Sequence, residues 1–166
     1  MRYNFHSNIL NLKVKKSPLF VRFILFTLSF CFFIFPFLGL IFGVVLGSGL
    51  QIGYFIAIGI FYLMGFYLLR ISLWNTYGEE NIQFFENSIT YEASYGWFKD
   101  AKKEFLISFP KYSFKSVGYE EDNEVVLLIS SEECYLESVV KMPSADVEAL
   151  IIVLEQRTAD HPNSSL

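Results

Sequence analysis

With 166 residues, of which 53% are hydrophobic and 19% aromatic, the chain is too short for two soluble domains and too apolar for one ordinary globule. Its net charge of −4 is unevenly spread: residues 1–78 carry six bases and no acid, whereas residues 79–166 carry seven bases and all seventeen acids, a balance of −10 that repels phosphate and excludes nucleic acid as a partner. Two cysteines, Cys31 in an apolar run and Cys134 in the acidic half, exclude a disulfide framework.

Residues 1–17 read as a basic, cytoplasmic N-terminal segment whose Lys13, Lys15 and Lys16 face an anionic leaflet and set orientation. Residues 23–69 then contain no Asp, Glu, Lys, Arg or His. As one helix these 47 residues would reach about 70 Å, more than twice the bilayer's hydrocarbon core, so the run must fold back once. Gly47-Ser48-Gly49 is where a turn costs least, which gives a two-helix transmembrane hairpin over residues 18–74, with Pro36 predicted to kink the first span. Five bases precede the first span, the turn carries none and Arg70 closes the second, so the positive-inside rule places both termini in the cytoplasm of a bacterial inner membrane and Ser48 outside. The apolar run is too long for a cleaved signal peptide.

Within the spans, Gly39, Gly43 and Gly47 recur every fourth residue, and Gly49, Gly53 and Ala57 repeat that spacing after the turn. Such a small-residue seam brings backbones close, either to shut the hairpin on itself or to pack against another copy or a partner in a homo- or hetero-oligomer. The spans hold no ionisable group on which a proton or ion pathway could run.

Beyond residue 78 the period changes to 2. Strands are predicted at 81–85, 88–94, 102–109, 112–119, 124–131 and 134–142, bounded by Asn, Gly, Pro, Ser or acidic clusters. Ser144 opens a helix in which Val147, Leu150, Ile151 and Leu154 form one apolar stripe. The fold class is therefore an α+β membrane protein: a helical hairpin, then a small antiparallel β domain over residues 79–158 with a C-terminal α-helix, and a flexible tail at 159–166.

This order of elements, with Phe84-Phe85-Glu86-Asn87-Ser88-Ile89 in a strand pair, Phe105 and Ile107 leading to Pro110, a strand from Tyr135 to Lys141 and a closing helix, resembles the YcxB-like and related bacterial pleckstrin-homology-like membrane proteins. The resemblance spans most of residues 19–157 and implies a pleckstrin-homology-like (PH-like) β domain with a scaffold or interaction role and no enzymatic activity. Six strands are one fewer than a full domain of that kind has.

Chemistry-bearing motifs are absent: His6 and His161 lie in polar terminal segments, no zinc, nucleotide or nucleophile-elbow signature occurs, and the acids fall mostly in turns or at wet alternating positions. No cofactor or metal is expected. Tyr95 to Lys103 stands apart, because Trp97 and Phe98 sit with Lys99, Lys102 and Lys103 in an otherwise acidic domain. Those five residues are the candidate contact with the bilayer surface, against the alternative that the aromatics fold into the core. The leading function is a non-enzymatic, membrane-anchored scaffold or protein-interaction module with the lipid bilayer and a protein as partners. An immunity protein that neutralises a basic toxin is the alternative, and a membrane enzyme without a recognisable motif is third.

Overall fold

The computed structural model describes residues 3–47, 49–100, 102–107, 109–118, 123–131 and 134–160. The chain divides into two units, residues 1–15 with 77–166 and residues 16–76.

Residues 16–76 form two long apolar helices, α1 (Leu19–Val45) and α2 (Ile52–Tyr77, whose last residue falls in the other unit), each long and apolar enough to cross a bilayer. Gly47 and Gly49 hold φ values of +82° and +67°, which a side chain would strain; Ser48 lies outside the described residues. Pro36 lies within the single helix α1. At the other end of the hairpin, Ser17 donates from its backbone N–H to the Asn75 carbonyl at 3.3 Å and from its Oγ to Asn75 Oδ1 at 3.0 Å.

The other unit is an antiparallel β structure closed by a helix. Its first strands, β1 (Tyr3–His6) and β2 (Ile9–Lys13), form a hairpin through Ser7 and Asn8, both at positive φ (49° and 67°), the backbone of a tight two-residue turn. Strand β2 then pairs with β3 (Gly78–Phe84) from Ile9↔Gln83 to Lys13↔Glu79, and the Val14 N–H continues the ladder to the Gly78 carbonyl at 3.0 Å. Residues 1–17 are therefore not a separate basic lead. Leu10 and Leu12 are fully buried, and their burial contributes about 1.5–3 kcal/mol each. The helical hairpin is an insertion in the β2–β3 connection.

Strand β4 (Ser88–Tyr95) pairs along the other side of β3, and its far edge is shared by β5 (Phe98–Lys99) and β6 (Lys103–Leu106), two pieces of one interrupted strand. The continuous strand expected over 102–109 ends at Leu106; Phe109 turns the chain with a φ of +56°. The second sheet centres on β8 (Glu124–Ser130), flanked on one side by β7 (Lys111–Ser116) and on the other by β9 (Tyr135–Glu137) and β10 (Met142–Pro143). The single strand expected over 134–142 is thus broken, with Ser138 to Lys141 forming a loop between its halves. Helix α3 (Ser144–Asp160) buries Val147, Leu150 and Leu154 completely, as its stripe requires, and it extends two residues past the predicted domain end at 158. The predicted tail beyond Asp160 lies outside the described residues. Ten strands stand among the described residues where six were predicted, because two precede the helices, the strand expected over 134–142 is split in two, and β5 lies in the segment read as a turn.

Candidate functional site

The Trp97 turn is built by register. Gly78↔Tyr95 pairs the first residue after α2 with the last of β4, so the Gly96–Trp97 turn lies at the end of the sheet where β3 begins. Gly96 takes a φ of +65°, which lets β4 reverse directly into β5. Trp97 is 78% exposed, which overturns the reading that its ring belongs to the core. Phe98 is half-buried and stacks on Tyr95 at 6.0 Å between ring centroids. The lysines divide: Lys99 is held by Glu92 at 3.1 Å, whereas Lys102 and Lys103 are exposed beyond it. Among the described residues the turn therefore presents one exposed aromatic ring and two exposed lysines with no acidic partner.

The proposed glycine seam divides as well. A Cβ at Gly39, Gly47, Gly49 or Gly53 would meet nothing within 4 Å, so those positions form no close approach between α1 and α2. At Gly43 it would collide with the Tyr54 ring, whose Cζ lies 2.7 Å away. Ala57 is half-buried. The close approach lies deeper in the hairpin, where the Ser29 hydroxyl donates to the Gly65 carbonyl at 2.8 Å and a Cβ on Gly65 would sit 3.1 Å from Phe33 and 3.2 Å from Phe32. Phe32 meets Phe61 at 5.5 Å and Phe33 meets Tyr62 at 5.3 Å on either side. Repeat spacing could not find this pair, because its small residues are single; the signal was Ser29, which with Thr27 is one of two hydroxyls in an otherwise apolar stretch.

An acid that the sequence placed on a wet surface is instead fully buried. Glu80 has 0% exposure. It lies on β3 in phase with Ile82 and Phe84, and starting that strand at Gly78 rather than 81 would have turned it inward in advance. Its carboxylate accepts the Tyr91 hydroxyl at 2.6 Å on Oε1, the Val139 N–H at 2.8 Å on the same oxygen, and the Val140 N–H at 3.1 Å on Oε2. Val139 and Val140, in the loop between β9 and β10 where the ladder to β8 stops after Ser138, are thereby satisfied from the other sheet. Burial raises the Glu80 pKa, opposed by these three donors, and burial with the nearby Glu80 charge raises that of Tyr91. Closed to solvent, the carboxylate joins two sheets.

Among the described residues no three His, Cys, Asp or Glu side chains converge to hold a metal ion. No protein-family model, curated protein or solved structure matches the chain.

Proposed function

We propose that this chain is a non-enzymatic interaction module of a bacterial inner membrane, in which α1 and α2 span the bilayer and the β unit stands in the cytoplasm to bind a protein. The observation that carries the reading is the insertion of two helices, each only 6% buried along its apolar centre, between the paired strands β2 and β3. Lipid is the environment that covers such surfaces, and the pairing requires the segments before α1 and after α2 to share one side. The five bases ahead of α1 favour the cytoplasmic side. Two antiparallel sheets followed by a C-terminal helix support the PH-like, YcxB-like assignment of the β unit.

The Trp97 turn is the contact of this module with the inner leaflet. Lys102 and Lys103 supply about 2 kcal/mol of attraction to anionic lipid before ordering costs, and Trp97 suits the interface. In a Trp74→Phe background, Trp97 emission is expected to shift to the blue in nanodiscs containing anionic lipid at low salt but not in phosphatidylcholine alone. Lys102→Glu with Lys103→Glu removes the shift; a shift equal in both lipids refutes the contact.

The anchoring itself is tested by fractionation with a reporter at residue 166. The chain should resist alkaline carbonate extraction and the reporter should act from the cytoplasm. Release by carbonate, or an external reporter, refutes the reading.

A further inference from the structure

The outer edge of β7 carries a second inference, which rests on the interaction-module reading. Val117 donates to the Glu124 carbonyl at 3.0 Å, so Val117↔Glu124 is a hydrogen-bonded pair that extends the β7–β8 register. Pairs alternate in an antiparallel ladder, so Lys111, Ser113 and Lys115 turn their backbone groups to β8 while Tyr112, Phe114 and Ser116 turn theirs away. Strand β7 has no second neighbour among the described residues, and six residues give about 20 Å of open edge. Lysines often guard such edges, yet Lys115 reaches back over the sheet to Glu137 at 3.2 Å.

Along this edge runs a groove with α3 as its second wall. One lobe of about 440 Å³ is lined by Phe114, Ile151, Ile152 and Glu148; the next, about 550 Å³, shares Tyr112 with it and is bounded by Glu155 on the helix and by Lys111 at the start of β7, so acids outnumber bases two to one along the groove. Phe114 is 43% and Ile152 56% exposed, large apolar side chains left open beside unpaired backbone. We propose that this edge and groove dock an extended peptide of a partner protein with alternating apolar and basic residues, added to β7 as a further strand. The backbone edge takes the ladder, Phe114 and the two isoleucines take alternate apolar side chains, and Glu148 and Glu155 take the bases. Charge decides against a second copy of the chain as occupant. Three bases in residues 1–15, with seven bases and seventeen acids in 79–166, leave the β unit at −7, so a second copy would bring like charge and its own Glu148 and Glu155.

The test uses the full chain in phosphatidylcholine nanodiscs and a nine-residue capped peptide alternating Lys and Val, beside a Glu–Val peptide and a Lys–Val peptide with alternate backbone nitrogens methylated. Amide hydrogen exchange should slow at Tyr112, Phe114 and Ser116 on adding the Lys–Val peptide. Affinity should fall roughly tenfold or more for either comparison peptide, for Phe114→Lys, and for Glu148→Lys with Glu155→Lys, whose exposed helix positions leave folding intact. Saturating peptide without protection of the β7 amides overturns the proposal, as does a wild-type dimer that Phe114→Lys converts to monomer. Carbonate resistance of the same variants reports separately on the membrane anchor, so failure of the groove and failure of the anchored-module reading are distinguishable.

Discussion

A carboxylate with no exposed surface is costly unless its oxygens are fully used, and Glu80 uses both, on a tyrosine hydroxyl and two backbone N–H groups. Glu80→Gln replaces one accepting oxygen with an amide nitrogen that cannot accept, which leaves a donor facing it unpaired at about 1–3 kcal/mol. The pH dependence follows from the raised pKa. Between the unfolded value, near 4.5, and the higher folded value, the native state holds a proton that the unfolded chain has released. The stabilisation is complete below the lower value and is lost as pH rises through the higher one. Urea unfolding in detergent should therefore show wild-type stability declining with pH in that window, and Glu80→Gln should lack that component; an identical pH profile in both proteins would show that Glu80 does not titrate there.

At the scale of elements, the hairpin's packing rests on Ser29 and Gly65 rather than on the four-residue glycine spacing. Gly65→Leu should separate α1 from α2 and lower the melting temperature in detergent by several degrees, whereas Gly39→Leu, which meets open space, should leave it unchanged. Equal effects would show that the close approach lies elsewhere. The two spans were legible because lipid writes length and absence of charge directly into sequence. Strand β4 and helix α3 were legible because one apolar and one wet face impose periods of 2 and 3.6. Strand β2 was not, although Leu10 and Leu12 alternate correctly, because its partner β3 begins 65 residues after it ends and no local signal joins them. The glycine spacing specified a face of each helix but not which faces meet. Gly43, the one seam glycine in tight contact, faces the end of a Tyr54 side chain that can swing aside.

For the whole molecule, interruption of the β unit by the helices has a direct consequence. A chain starting at residue 79 lacks Leu10 and Leu12 and should not fold, since loss of a buried leucine costs about 2–5 kcal/mol even when only truncated to alanine. Residues 1–14 joined through Asn-Gly to 78–160 restore the β2–β3 ladder as a tight hairpin, with the Val14–Gly78 pair flanking the turn, and should give a soluble, cooperatively folding domain, checked by dispersed amide resonances. The most direct measurement of the inserted hairpin is cysteine labelling from either side of a sealed membrane, in a chain with Cys31 and Cys134 replaced by alanine. Single cysteines at Asn4 on β1 and at Lys102 beside β6 should react from one and the same side, the cytoplasmic one, and a cysteine at Leu50 between the helices only from the other. Labelling of Asn4 and Lys102 from opposite sides, or of Leu50 from the side they share, would contradict the account.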